Sequence, residues 1–215
     1  MRRLGFPVPS LTDLIDELTP IKGQHSIDKF AIEEVSKLVQ TLKFHHDGTF
    51  QHSLNASRLA TWLARKLGLS QAEVMEISIG ALLHDFGKTK VDATVLDKPS
   101  SLTTEEWRQI RKHPRDGVAM LSAYPWADNL HPMVAYHHER LDGRGYIGLA
   151  GDTIPLSAKI VCIADAFDAM ISPRPYQTSR TLTQCWEELE RNSGTQFDKD
   201  LVAPFISVTG RIKIT

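Results

Sequence analysis

The chain has 215 residues, of which 41% are hydrophobic and 24% charged, and its formal net charge is −1. This composition is typical of a globular protein, and the near-neutral charge excludes a global positive field for binding long nucleic acid. No stretch approaches the ~20 apolar residues of a membrane span. Cys162 and Cys185 lack the spacing of a disulfide framework or a CxxC motif, which fits a reducing compartment. We therefore expect a cytoplasmic protein that neither enters a membrane nor binds long nucleic acid.

Helical periodicity dominates the chain, whereas alternating strand patterns are scarce. The predicted helix starts are, in chain order, Ser10, Ser26, Ser70, Thr103 or Thr104, Pro155, Thr181 and Phe197. A polar stretch over residues 44–49 separates the second helix from another that ends at Gly68, and a helix through Met133 ends near His137. These features predict an all-α fold with its polar residues at helix ends. Residues 1–44 are predicted to form an N-terminal helical extension, which is a cap, a dimerisation element or part of the core.

The strongest local signal is the run His84-Asp85-Phe86-Gly87-Lys88. Adjacent side chains on a helix point about 100° apart, so both members of a His-Asp pair reach one metal most easily at a helix end. Gly87 is predicted to supply the break that ends the helix. An imidazole nitrogen beside a carboxylate that can bridge two cations suits iron, manganese or another borderline divalent metal. On its own, the pair would strongly favour a different interpretation, a capping aspartate beside a partly buried histidine.

Further candidate ligands follow from other parts of the chain: His52, His113, His137, His138 and Asp165. Asp165 lies in the apolar run 160–167, where a carboxylate is costly to bury unless it is paired or coordinates a metal. Its alternative role is a buried cap or an ion pair. The histidines for which we predict only surface or structural positions are His25, His45, His46 and His131.

Together these motifs resemble the HD-GYP subgroup of HD-domain phosphohydrolases. The motifs that carry the resemblance are His52, His84-Asp85, Lys88, His113-Pro114, His137-His138-Glu139, Asp142-Gly143-Arg144-Gly145-Tyr146, Asp165, Arg174-Pro175-Tyr176 and Gln196-Phe197-Asp198. Several separate motifs in one order are far more specific than a single His-Asp pair. The resemblance implies an HD-domain helical bundle with a binuclear metal site at its helix ends, and a catalytic domain over residues 45–215.

The resemblance also implies roles for individual residues. One metal ion would be held by His52, His84, Asp85 and Asp165. A second would share Asp85 as a bridge and be held by His113, His137 and His138. Asp85 and Lys88 would be catalytic, with Lys88 beside the scissile phosphate. The substrate would be contacted by Lys88, Asp142, Gly143, Arg174 and Tyr176. Glu139 would orient a histidine.

This sequence departs from the family pattern at a few positions. Ile147 replaces the proline of the GYP-like loop (residues 141–147), which predicts a looser or differently angled turn. Gly48 stands where some members have a glutamate for a third metal, so we predict a binuclear centre. Ile171 and Gln177 replace a threonine and a basic residue near the ligand-binding segment, and they are expected to alter ligand binding.

The implied activity is hydrolysis of cyclic di-GMP to linear pGpG, and of pGpG onward to GMP, with two divalent ions of iron or manganese. The alternatives are another cyclic dinucleotide or a nucleotide as substrate, a di-iron oxygenase, and a non-catalytic module that binds a cyclic dinucleotide. Lys88 and the segment 174–176 favour a phosphate ligand over an oxygenase, and the full ligand set favours an enzyme. A regulatory protein partner would act through the GYP-like loop or the N-terminal helices.

Overall fold

The computed structural model describes residues 29–172 and 180–210. The helix predicted to start at Ser10, the cap predicted at Ser26 and the predicted substrate residues Arg174 and Tyr176 lie outside the described residues. His25 does so as well.

Within the described ranges the secondary structure is helical and contains no strand, which confirms the predicted all-α fold. The α-helices are α1 (Lys29–His45), α2 (Asp47–Lys66), α3 (Gln71–Leu83), α4 (Ala93–Leu96), α5 (Thr104–Ile110), α6 (His113–Leu121), α7 (His131–Tyr136), α8 (Leu156–Ile171), α9 (Leu182–Arg191) and α10 (Lys199–Thr209). Short 3-10 helices cover Phe86–Lys90, Pro125–Leu130 and Gly151–Thr153. No described helix is both long and apolar enough to cross a membrane.

Helix starts follow the capping residues in the sequence. Ser70, Thr103 and Thr181 each accept a hydrogen bond from the backbone N–H three residues later, and the side chain at that position bonds back to the cap. These caps, and the opening of α8 after Pro155, were predicted and are confirmed. The polar break before α2 is shorter than predicted. It consists of His46 alone, because the Nδ1 atom of His46 accepts a hydrogen bond from the N–H of Thr49 and caps α2 directly.

The core forms where α2 packs against α3 and α8. Its largest fully buried side chains are Phe167, Phe205, Leu42, Leu63, Met75, Leu82, Leu83, Leu121, Leu130, Met133 and Ile160. Helix α1 belongs to this same core, since Val35, Val39 and Leu42 are buried in it. For residues 29–45 this favours the core alternative over a detached cap or dimerisation element. The boundary between residues 44 and 45 stays a prediction.

Gly87 has a different role from the predicted one. Helix α3 already ends at Leu83, and Gly87 does not have the left-handed backbone conformation of a glycine helix stop. Instead, the 3-10 helix Phe86–Lys90 packs directly on α6. A Cβ atom on Gly87 would lie 2.0 Å from the backbone oxygen of His113 and 2.6 Å from the backbone nitrogen of Gly117. Glycine is required here because two backbones touch, and this contact sets the spacing between the His-Asp pair and His113.

We predict that Gly87→Ala lowers the free energy of unfolding by about 3 kcal/mol or more, because backbone atoms cannot rotate away from the new methyl group. Urea unfolding measures the change. Gly68→Ala is the matched control: Gly68 has a φ of 75° but open space around its Cα, so the loss there is limited to the left-handed strain of ~1–2 kcal/mol. If Gly87→Ala unfolds like the parent or like Gly68→Ala, the backbone contact is not the constraint.

Candidate metal centre

All the predicted metal ligands converge on one site, and most of them come from helix ends. His84 and Asp85 follow the last residue of α3, His113 is the first residue of α6, and His137 and His138 follow α7. Two ligands come from inside helices, His52 from α2 and Asp165 from α8. At a helix end, consecutive residues leave the helical path, so neighbouring side chains can turn toward one point.

Asp85 lies at the middle of this cluster, and its side chain is 1% exposed. Its Oδ1 atom faces one pair of histidines, 3.1 Å from the Nε2 atom of His113 and 4.0 Å from that of His137. Its Oδ2 atom faces another pair, 3.4 Å from the Nε2 atom of His84 and 3.8 Å from that of His52. One carboxylate therefore offers each oxygen to a separate pair of imidazoles.

Asp165 closes the opposite side of the cluster. Its Oδ1 atom lies 2.9 Å from the Nε2 atom of His52, and its Oδ2 atom lies 3.8 Å from the Nδ1 atom of His138. The same Oδ1 atom is 4.0 Å from the Nε2 atom of His84. Asp165 thus contacts histidines of both predicted ligand groups. The family resemblance implied a role for Asp165 at one metal only, whereas in the structure Asp165 lies between the two groups.

Backbone carbonyls fix the tautomers of three of these histidines. In each of these residues, Nδ1 lies within hydrogen-bond distance of the carbonyl oxygen three residues earlier. The distance is 2.7 Å in His84, 2.7 Å in His113 and 3.0 Å in His137. Because a carbonyl oxygen only accepts, Nδ1 is the protonated nitrogen. The Nε2 atom of each neutral ring then carries a lone pair that points into the cluster. This is the ring orientation that metal-binding histidines commonly have.

The arrangement of these atoms fits bound cations. Among the described residues, no hydrogen bond reaches the buried atoms His84 Nε2 and Asp85 Oδ1. The Nε2 atoms of His113 and His137 lie 3.1 Å apart. Burial, together with the neighbouring histidines, lowers the pKa of His137 well below its ordinary value, so this ring is neutral. Facing lone pairs and an unpaired carboxylate oxygen are unfavourable next to each other unless a cation lies between them.

His52 has a different second partner, Asp168, which sequence reasoning missed. The Nδ1 atom of His52 donates to Asp168 Oδ2 at 2.6 Å, and the hydroxyl of Ser172 donates to Asp168 Oδ1 at 3.0 Å. Burial alone would lower the pKa of His52, but the hydrogen bonds to Asp165 and Asp168 outweigh it and raise the pKa to about 9. The two carboxylates therefore stabilise a positive charge at His52. Asp168 is 2% exposed and lies one helical turn after Asp165, a spacing that could have identified it.

The cluster is open to solvent on one side. The side chains of His84 and His113 are fully buried, whereas His138, Lys88 and Asp165 are 25%, 21% and 15% exposed. The Nζ atom of Lys88 donates to Asp85 Oδ2 at 2.6 Å. Burial would raise the pKa of Asp85, but Lys88 and the nearby histidines hold it well below its ordinary value. The open side is thus marked by a cation that touches the central carboxylate.

Glu139 corrects a prediction, because it holds a loop and not a histidine. It is 2% exposed, and its carboxylate accepts hydrogen bonds from the backbone N–H groups of Ile147, Gly148 and Leu149 at 2.8–2.9 Å. The Ile147 bond needs an N–H group, which the family's proline lacks. The turn expected to be looser at Ile147 is therefore tied to a buried carboxylate at that residue.

Asp142 and Gly143 shape the start of the same loop. The carboxylate of Asp142 accepts two hydrogen bonds from Arg140, at 3.0 and 2.8 Å, and a third from the backbone N–H of Arg144. Gly143 has a φ of 73°, the left-handed region that glycine adopts readily. A direct contact of either residue with a substrate stays a prediction.

Two of the histidines outside the cluster have structural contacts, as predicted. The Nε2 atom of His45 bonds to the carbonyl oxygen of Val91 at 2.8 Å, and the Nε2 atom of His46 bonds to Asp97 at 3.0 Å. A Cβ atom on Gly48 would lie 2.9 Å from the ring of His46, so this ring fills the space beside Gly48. The predicted absence of a third metal stays a prediction.

The HD domain family matches residues 34–201. The chain is 36% identical to the cyclic di-GMP phosphodiesterase response regulator RpfG of Xanthomonas campestris pv. campestris, over 83% of this chain and 48% of that protein. It is 35% identical to the 3'3'-cGAMP-specific phosphodiesterase 3 of Vibrio cholerae, over 93% of this chain and 44% of that protein. The chain therefore spans about half the length of the curated relatives it matches.

Solved structures share the fold. The HD domain of the L. monocytogenes phosphodiesterase PgpH, in complex with cyclic-di-AMP, is similar with a TM-score of 0.59 and 15% identity. The match covers 83% of this chain and 99% of that one. At this identity the likeness shows the helical fold alone.

We predict that Asp168→Ala weakens metal binding ~10–100-fold, because His52 loses the partner that fixes its ring. Competition between the apoprotein and a chelator for Mn²⁺ measures the change. Asp168→Asn should restore part of the affinity, since an amide oxygen still accepts from His52. Ser172→Ala is the milder control, because it removes only the outermost hydrogen bond. Parent-like Mn²⁺ affinity in Asp168→Ala would show that Asp168 does not position His52.

Proposed function

Since the chain belongs to the HD domain family, in its HD-GYP group, we propose that it is a metal-dependent phosphodiesterase that hydrolyses cyclic di-GMP. The observation that carries this proposal is the sharing of Asp85 between two groups of imidazole ligands. A shared carboxylate is what a two-cation phosphodiester site requires, because both cations must lie close enough to act on one phosphate.

We assign the ligands to two metal ions. The first would be held by His52, His84, Asp85 and Asp165, and the second by Asp85, His113, His137 and His138. This division is supported by two sets of potential ligand atoms that each lie within 4.8 Å of one another, one in His52, His84 and Asp85 and one in Asp85, His113, His137 and His138. Mixed nitrogen and oxygen donors suit iron or manganese.

In the proposed hydrolysis, the metal ions and the protein side chains have different roles. Divalent cations held here would polarise the phosphodiester as Lewis acids and would lower the pKa of a water molecule. The chain contributes fixed ligands, since the Nδ1–H groups of four of the histidines already bond away from the site, namely those of His52, His84, His113 and His137. Lys88 contributes a cation at the open side, where it can stabilise negative charge on the phosphate or protonate the leaving oxygen. Asp85, which touches Lys88, sets the position of that ammonium group.

The identity of the substrate is the more specific part of the proposed function. Relatives carry the names of cyclic di-GMP and 3'3'-cGAMP phosphodiesterases, which supports a cyclic dinucleotide. We propose cyclic di-GMP, with linear pGpG as the first product and GMP as the product of a second hydrolysis. Its further contacts would come from Asp142, Gly143, Arg174 and Tyr176. The alternative substrate is another cyclic dinucleotide or a nucleotide. A non-catalytic module that binds the dinucleotide is less well supported, because no predicted ligand is missing.

The setting of the enzyme also belongs to the proposal. We propose a cytoplasmic enzyme with a catalytic domain over residues 45–215 and an N-terminal extension over residues 1–44. A regulatory protein would reach it through the GYP-like loop or the N-terminal helices. The exposed side chain of Ile147, at 66%, is the apolar feature of that loop available for such a contact.

The test combines turnover with a variant of Lys88. Protein loaded anaerobically with Fe²⁺ or Mn²⁺ should convert cyclic di-GMP to pGpG, as followed by chromatography. Lys88→Ala should keep its metal while turnover falls ~10²–10³-fold. Lys90→Ala is the matched control, since Lys90 is an exposed lysine of the same 3-10 helix. A loaded parent that cleaves no cyclic dinucleotide would refute the function. Equal turnover in Lys88→Ala and Lys90→Ala would refute the role of Lys88.

A further inference from the structure

Arg111 lies beside the candidate metal centre and belongs to none of its predicted parts. Its guanidinium carbon is 4.6 Å from the centre of the Tyr146 ring, within cation–π range. On the GYP-like loop, the Tyr146 ring lies against His138, with ring centres 4.4 Å apart and planes inclined by 32°. Arg111, Tyr146 and His138 are therefore linked in series, from the protein surface to a predicted metal ligand.

Among residues 29–172 and 180–210, Arg111 has no ion-pair partner. Arg111 follows α5 and is exposed. Arg108, in the preceding turn, pairs with Glu105, and Arg140 pairs with Asp142. An arginine that lies over an aromatic ring can still offer the N–H donors of its guanidinium group to another partner. Such donors suit a bidentate contact with a phosphate.

The position of Arg111 matches the open side of the cluster. His138, the histidine that Tyr146 covers, is 25% exposed, whereas His84 and His113 are fully buried. A ligand that reaches the metals from solvent therefore passes close to Tyr146 and Arg111. Trp107, on α5 one turn before Arg111, is 50% exposed.

A cyclic dinucleotide carries two phosphodiesters, and only one of them can react at a time. The metals and Lys88 account for the reacting phosphate, while the second brings another negative charge that needs a partner. We propose that Arg111, held by Tyr146, binds the second, non-reacting phosphodiester. This rests on the proposed function, and it assigns Arg111 a part in substrate selection: the enzyme would favour esters with two phosphates.

Two substrates distinguish binding of a second phosphodiester by Arg111 from a general effect of Arg111 on catalysis. Bis(4-nitrophenyl) phosphate has a single phosphodiester, so it tests the metal centre and Lys88 without a second phosphate. Arg111→Ala should raise KM for cyclic di-GMP ~10–100-fold, the usual effect of losing a charged hydrogen bond. The same variant should hydrolyse bis(4-nitrophenyl) phosphate like the parent. Arg108→Ala, which removes the same charge from the same region of the surface, should change neither reaction.

The outcomes distinguish the proposal from its alternatives. Arg111→Lys should recover part of the lost affinity, because a positive charge remains. Loss of activity on both substrates in Arg111→Ala would mean that Arg111 merely supports Tyr146 and the loop, and it would overturn the proposal. Unchanged KM for cyclic di-GMP would overturn it as well, while leaving the proposed function intact. A parent that cleaves bis(4-nitrophenyl) phosphate but neither binds nor cleaves cyclic dinucleotides would refute both.

Discussion

The burial of one carboxylate is the constraint on which the rest of the site depends. Asp85 is 1% exposed, with imidazole lone pairs facing both of its oxygens. Burying a charge in this way is costly unless opposite charges compensate for it. Lys88 compensates for part of it from one side. Two cations shared through Asp85 would compensate for the rest and would satisfy the histidines at the same time. The same electrostatic requirement therefore links the burial of Asp85 to the proposed chemistry.

The fold supplies this centre by bringing helix ends together. Three helices contribute ligands at their termini, and carbonyl oxygens of α3, α5 and α7 orient the rings of His84, His113 and His137, respectively. Gly87 allows the 3-10 helix after the His-Asp pair to touch the backbone of α6, which a side chain would prevent. On the open side, Glu139 ties down the end of the GYP-like loop. The buried part of the cluster, with His84 and His113, thus lies beside a partly exposed side that includes Lys88 and His138.

Sequence reasoning was strongest where the signal is local. Ser70 and Thr103 identified helix starts, because a cap and its partner are three residues apart. It was weakest where the deciding contact is tertiary. Asp168 bonds to a histidine 116 residues away, Glu139 bonds to a loop instead of an imidazole, and Gly87 touches a second helix. The proposed ligand set was predicted from a resemblance of separate motifs, since spacing alone does not bring residues of α2, α3, α6, α7 and α8 to one point.

The most direct test of the account is the metal stoichiometry of Asp85→Ala. Isothermal titration of the anaerobic apoprotein with Fe²⁺ or Mn²⁺ should give about two ions per chain for the parent and close to none for Asp85→Ala, because both ions share that carboxylate. His113→Ala should lose chiefly one ion, which shows that the effect is specific to the bridge. Two ions bound to Asp85→Ala with parent-like affinity would contradict the shared centre, and a third ion bound near Gly48 of the parent would contradict its binuclear nature.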